Sequence, residues 1–248
     1  MSVFDAAAER YDEARPDYPD ELFDDLVALA RIEPGARLLE IGCATGKATR
    51  PLLARGFRVV CVELGERLAA RARRNPGAEI HVGRFEDWAG DPGGFDLVFA
   101  ATAWHWLDPE RRYEKAHEQL GRGGHLAFWS ALHACPPGFD PFFAEIQEVY
   151  DEIGESFPGD WPPPPQPDES TEIVATGLFG DVAVRRYLWE VRYTADEYVA
   201  LLDTFSGHLE MPADRRAHLY AEGRRRLGER RVRRHWEAVL HVARRLDM

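Results

Sequence analysis

Glu40, Gly42 and Gly46 fall in the stretch LLEIGCATGKATR, residues 38–50, where an apolar run breaks into glycine and small side chains. Glycines after a buried strand let a ligand press against the backbone. A second apolar run, RVVCVEL at 58–64, ends in Glu63, about twenty residues beyond the loop, where a carboxylate can accept hydrogen bonds from both hydroxyls of a ribose. The pair predicts a nucleoside ligand. The loop lacks GxGxxG, which argues against a dinucleotide and with it a nicotinamide-dependent oxidoreductase. Gly46-Lys47-Ala48 departs from the GK[ST] step of a phosphate loop. The portion of the ligand beside the loop is therefore expected to be small and free of phosphate. In GRFEDW, residues 83–88, Phe85 or Trp88 is placed to cover an adenine ring, and Asp87 or the Glu86 region to bond its exocyclic amine. His105 stands between Trp104 and Trp106 in ATAWHWLD. An imidazole with a pKa of ~6.5 can take a proton from a nucleophile, or it can simply order the loop.

These residues need elements to hold them. DELFDDLVALARI at 20–32 carries Leu22, Phe23, Leu26, Leu29 and Ala30 at helical spacing, and EPGA stops it. RLLEIGC, RVVCVEL, AEIHVGRF, FDLVFAAT and GHLAFWS read as five strands. Between them lie helices in KATRPLLARG, with Gly56 as C-terminal cap, in ERLAARARR, and in PERRYEKAHEQLGRGG, which Asp108-Pro109 is expected to open. Such alternation predicts an α/β fold with right-handed crossovers and a mostly parallel, doubly wound sheet. Past Ser130 come a helical stretch around 140–153, an extended proline run at Pro162–Pro165, and a strand in DVAVRRYLWEVRYT. TADEYVALLDTFSG is a helix with Thr194 and Glu197 in capping-box spacing. A helix is expected over 212–227, and HWEAVLHVARRL reads as a strand or a helix, with the strand favoured.

The 248 residues suit one α/β domain with an elaboration, and 45% hydrophobic content suffices for a core. A net charge of −12 argues against nucleic acid as partner. The arginine-dense GRRRLGERRVRRHW, residues 223–236, reads as a solvated helix end whose charges meet acids elsewhere. No run reaches the ~18 apolar residues of a membrane helix, and the acidic N-terminus is unlike a signal peptide, so no membrane partner and a cytoplasmic location are expected. Cys43, Cys61 and Cys135 form no metal-binding spacing, and no metal is expected; Cys43 reads as a small filler of the loop.

Taken together, LLEIGCATG, VVCVEL, GRFEDW, FDLVFAATAWHWLD and LGRGGHLAFW resemble the class I S-adenosylmethionine-dependent methyltransferases, in particular the small-molecule UbiE-like and trans-aconitate methyltransferase-like branch. The likeness covers most of residues 4–130 and continues weakly through LLDTFSGHLEMPADRRAHL. It implies a Rossmann-like, seven-stranded sheet with a helical lid insertion. The layout it suggests is a cap segment over 1–33, a cofactor core over 34–130, a lid with proline-rich linker over 131–180, and a sheet-completing part over 181–248. S-adenosyl-L-methionine is the implied cofactor. Glu40, Gly42 and Gly46 would hold its methionine portion, Glu63 with Leu64 its ribose, Phe85 and Glu86 its adenine edge, and Ala101 and Thr102 the sulfonium end. Arg84 replaces an acid common in relatives, so the backbone amide of Glu86 would serve the adenine. Tyr11 would lie over the ligand and Arg15 would meet its carboxylate. The implied reaction is methyl transfer to an oxygen, nitrogen or carbon of a small metabolite; His105 is the candidate general base, although His-Trp here also resembles a structural signature of the branch. A binding protein that keeps the fold without turnover is the alternative, and the oligomeric state is open. Arg111 and Arg112 read as helix-surface residues near the substrate side. Lid aromatics would be drawn from Phe142, Phe143, Tyr150, Phe157 and Trp161.

Overall fold

A computed structural model describes residues 8–156 and 161–247 of the chain; Phe157 lies outside them. The five expected strands form as β1 (Arg37–Ile41), β2 (Arg58–Glu63), β3 (Glu79–Val82), β4 (Phe95–Ala101) and β5 (Leu120–Trp129), parallel and in the order β3-β2-β1-β4-β5. Successive side chains point to opposite faces of a strand. Leu38, Val59, Cys61, Leu97 and Phe99 thus enter one core, while Leu39, Val60, Val62 and Val98 enter another. Two covered faces explain why these strands are continuous apolar runs rather than alternating ones. The first face is closed by α2 (Asp20–Ala30) through Leu22, Phe23 and Leu26, and by Leu52 of α3 (Thr49–Ala54). The second is closed by Tyr113 and Ala116 of α5 (Arg112–Gln119).

Two helix termini bear on the expectations. Gly56 follows α3 with φ of 85° and donates to the carbonyl of Leu53, as a C-terminal glycine should. Asp108 does not cap α5, which starts at Arg112; its carboxylate accepts from the Glu110 amide, closing a local turn ahead of the helix.

Among the described residues the sheet has eight strands rather than seven. The fifth strand breaks at Ser130 and resumes as β6 (Ala131–Ala134). Both β5 and β6 pair antiparallel with one edge of β8 (Val232–Arg245), Phe128 opposite His241 and Ala131 opposite Ala238. The other edge of β8 takes β7 (Phe179–Tyr193) along almost its full length. The final segment is therefore a strand, the favoured of its two readings, and not a helix. Around the near half of β8 gather α6 (Phe142–Glu145), α7 (Gln147–Glu152), α9 (Ala195–Leu202), α10 (Ser206–Glu210) and α11 (Ala213–Leu227). Phe142, Phe143, Tyr198, Leu201, Leu219 and Trp236 form a third core there. The capping box at Thr194 is present, with the Glu197 amide donating to the Thr194 hydroxyl and the Thr194 amide to the Glu197 carboxylate. The linker after the proline run is fastened to β8 by Gln166, whose Nε2 donates to the Glu237 carbonyl at 2.6 Å. Preceding α2, α1 (Ala8–Ala14) lies between the glycine loop and α9. No helix among the described residues is long and apolar enough to cross a membrane.

Candidate functional site

The loop after β1 needs glycine twice, for two different reasons. Gly42 has φ of 68°, and a Cβ there would sit 2.7 Å from the Cβ of Ala103. Its amide donates to the Val62 carbonyl, so β1 and β2 are still tied where the chain turns away. Gly46 has φ of 92°, and a Cβ there would meet the Asn75 amide nitrogen at 2.3 Å. Asn75 in turn donates to the Thr45 carbonyl. Gly46 thus serves the packing of the loop on its neighbour.

Glu63 ends β2 with only 5% of its surface exposed. One carboxylate oxygen accepts from the Ala44 amide at 2.8 Å and the other from the Gly65 amide at 2.7 Å. Glu40 is buried below the loop and accepts from the Thr49 hydroxyl. Burial, followed by the nearby negative charge of Glu63, pushes its pKa up to about 7 against the Thr49 hydrogen bond.

A cavity of about 470 Å³ opens at the carboxyl ends of the strands. Its walls bring together Tyr11, Arg15, Gly42, Glu63, Leu64, Phe85, Glu86, Ala101, Thr102 and His105 from five separate segments of chain. A chamber of about 30 Å³ adjoins it, lined by Glu40, Arg15, Tyr18, Lys47 and Trp236 among others. Trp88 and Asp87 take no part: Trp88 packs on His81 and Phe95, and Asp87 lies 3.6 Å from the Arg84 guanidinium. The Glu86 side chain is also committed, accepting from the Asp108 amide at 3.1 Å.

Thr102, just past β4, has φ of 58°, a left-handed conformation that a β-branched residue rarely adopts. Three hydrogen bonds hold it there. Its amide donates to the Trp129 carbonyl at 2.6 Å, while its hydroxyl accepts from the Ala131 amide and pairs with the Tyr18 hydroxyl at 3.0 Å. Of the WHW triplet, Trp104 is core, stacked on Phe128 at 5.0 Å, while His105 and Trp106 face the cavity. Partial enclosure and the Arg112 guanidinium lower the His105 pKa below the usual 6.5. Arg112 itself donates to the Trp104 carbonyl and pairs with Glu172, and Arg111 donates to the Glu86 carbonyl, so neither presents its charge to the cavity.

Arg15 reaches the cavity but is anchored to the far side of it, donating to the Thr204 hydroxyl at 2.8 Å and carbonyl at 2.9 Å. The expected lid aromatics Phe142 and Phe143 are buried in the third core and are not part of the wall of this cavity. The lid side of the wall is made instead by Leu132, Phe205 and Ser206. Sequence reading missed these, though Phe205 and Ser206 sit in LLDTFSGHLE, where the family likeness weakly continues.

Residues 39–128 match a family described as a methyltransferase domain. An uncharacterized methyltransferase of Mycobacterium tuberculosis is 36% identical over 124 residues, 50% of this chain and 49% of that protein. One from a Geobacillus species is 24% identical over 173 residues, 63% of this chain and 81% of that protein. The chain thus spans about half the length of the mycobacterial relatives it matches. A candidate type II methyltransferase from Anaeromyxobacter dehalogenans shares the fold with a TM-score of 0.66 and 24% identity, covering 94% of this chain and 99% of that one. The YcgJ protein of Bacillus subtilis does so with a TM-score of 0.58 and 12% identity, over 92% and 99% of the two chains. At such identities the structural likeness is one of fold. The match over residues 39–128 is to a methyltransferase domain, and the fold is one that the chain shares with these solved structures.

Proposed function

We propose that the chain transfers a methyl group from S-adenosyl-L-methionine to a nucleophile on a small metabolite with an apolar body. The observation that carries this reading is the juxtaposition of the Glu63 carboxylate with a chamber holding both signs of charge. Glu63 suits a ribose diol. The chamber offers a buried carboxylate in Glu40 and cations in Arg15 and Lys47, the complement of an amino-acid zwitterion. On the opposite wall Leu64, Phe85 and Leu107 present apolar surface for a purine. The Glu86 amide belongs to a single turn of 3-10 helix and finds no partner within it, leaving a donor for the ring.

When bound, S-adenosyl-L-methionine supplies a methyl group on a sulfonium, which is already a good leaving group. The chain's own task is then alignment and exclusion of water. Thr102, fixed by its three hydrogen bonds, gives the cavity a rigid floor at the end of β4. Trp106, Leu132 and Phe205 shield it from solvent. The His105 imidazole, neutral at pH 7 because its pKa is lowered, accepts the proton that an oxygen or nitrogen nucleophile gives up. The cavity volume falls in the range of small-molecule sites.

A thermal-shift titration with S-adenosylhomocysteine, with NADH and ATP as controls, tests the cofactor. Ligand at 100 times its dissociation constant adds about 2.7 kcal/mol, a visible shift. A response to NADH instead, or to none of the three, would overturn the reading.

A further inference from the structure

The arginine-dense stretch at 223–236 resolves almost entirely into ion pairs. Arg224 meets Asp196 at 2.7 Å, Arg225 meets Glu222 at 2.6 Å, Arg226 meets Glu148 at 3.0 Å and Arg230 meets Asp140 at 3.1 Å. Arg231 and Arg233 lie 3.8 and 3.9 Å from Glu197 and Glu190. Arg234 is the exception. It takes an inward position of β8 between Val232 and Trp236, with 6% of its surface exposed. No carboxylate of the described residues comes within 4.0 Å of its guanidinium, and its Nε has no hydrogen-bond partner. The guanidinium lies 4.6 Å from the Trp236 ring centroid, 5.3 Å from Phe205 and 5.8 Å from Phe143. The polar groups that face it are the phenols of Tyr150, Tyr193 and Tyr198, the imidazoles of His133 and His208, and a second cation, Arg15.

A buried cation left without an acid is costly, and aromatic faces offset only part of that cost. Its rigid fork is also the side chain best shaped to take a carboxylate or phosphate through two parallel hydrogen bonds. Phe205 separates it from the cavity, lining that cavity while resting 4.0 Å from the Arg15 guanidinium and 5.3 Å from that of Arg234. Trp236 touches Arg234 and lines the small chamber. Arg15 is tethered to Thr204 and lines the chamber assigned above to the cofactor's amino-acid end, while Arg111 and Arg112 are held by main-chain carbonyls and Glu172.

We propose that Arg234 is an anion subsite for the methyl acceptor, which is therefore a small molecule bearing a compact oxyanion, reached from the cavity by displacement of the Phe205 ring. The proposal rests on the methyltransferase reading above. Its test uses the full chain saturated with S-adenosylhomocysteine and titrated separately with succinate and with inorganic phosphate. Chloride at matched ionic strength is the control, and tryptophan fluorescence reports on Trp236. A saturable response to succinate identifies a carboxylate acceptor, and one to phosphate a phosphorylated acceptor. Arg234→Gln is expected to weaken that response at least tenfold while calorimetric affinity for S-adenosylhomocysteine stays within twofold. Arg234→Lys, which keeps the charge and loses the fork, serves if the glutamine variant does not fold, and should weaken it severalfold. No saturable response to either anion, or an equal response in a folded variant, would overturn the subsite while leaving the cofactor reading intact. Failure of the unaltered chain to bind S-adenosylhomocysteine would overturn both.

Discussion

Glu40 carries its charge at the base of the small chamber with a hydroxyl, not a cation, in contact. Its folded pKa near 7 stands above the ordinary 4.5, so between those values the native chain holds a proton that the unfolded chain has released. Stability contributed by this group is therefore lost as pH rises from 4.5 to 7, by about 3 kcal/mol in all. Glu40→Gln should remove that slope. Urea unfolding at pH 8 should find the ligand-free variant more stable than the unaltered chain, with the advantage vanishing near pH 4.5. The same change should weaken S-adenosylhomocysteine, whose ammonium would lose its partner. Equal pH profiles for the two chains would show that Glu40 does not titrate in this window. His105 makes a complementary prediction. If it accepts the acceptor's proton, His105→Asn should keep cofactor affinity and lose turnover by about 10²–10⁴-fold. The acid limb of turnover in the unaltered chain should lie below pH 6.5, because the folded pKa is lowered. Turnover that survives the substitution would leave His105 a purely architectural role. At this scale the sequence was legible where the reason for a residue is local. Gly42 and Glu63 announced themselves by position after a strand, whereas the positive φ of Gly46 and its close approach to Asn75 arise only once the loop is folded.

Between residue and fold stands α1, a strap of seven residues held at both ends by polar contacts. On one side Asp12 accepts from the Thr45 hydroxyl and the Arg50 guanidinium, and Lys47 pairs with Asp17 at 2.9 Å. On the other, Arg10 pairs with Asp203 and Arg15 with Thr204. Such half-exposed pairs each contribute only about 0.2–1 kcal/mol to stability. Their effect should therefore appear in the kinetics of the cavity rather than in global unfolding. For Asp12→Ala we expect a melting temperature within a few degrees of the unaltered chain, about what 1 kcal/mol produces in a chain of this size. Stopped-flow release of S-adenosylhomocysteine should nevertheless be several times faster. Unchanged release would mean that the strap does not gate the site. The five parallel strands were legible because each is a short apolar run bounded by turn residues. The break of the fifth strand at Ser130 was not, since it depends on the edge of β8, a hundred residues further along the chain, which accepts both pieces.

At the scale of the whole molecule, the cavity is a joint between two parts that sequence separates. Its floor comes from the strand ends of the first half, and its roof from Tyr11, Arg15, Leu132, Phe205 and Ser206. The lid was the least legible part. Of the aromatic positions in the lid, Phe142 and Phe143 are claimed by the third core, and a loop phenylalanine, Phe205, lines the site. A ligand that touches floor and roof together must stabilise both against local opening, because it binds only when they are assembled. Amide hydrogen exchange gives this a sharp form. Saturation with S-adenosylhomocysteine should slow exchange in residues 42–46 and, in parallel, in 10–15 and 203–206, which are joined to each other by Arg10–Asp203 and Arg15–Thr204. The two roof segments should gain protection with the same concentration dependence as the loop, since one binding event closes all three. Protection confined to the loop would show that the roof stays open over a bound cofactor. Closure would then have to await the acceptor, and the strap would belong to acceptor recognition rather than to the cofactor.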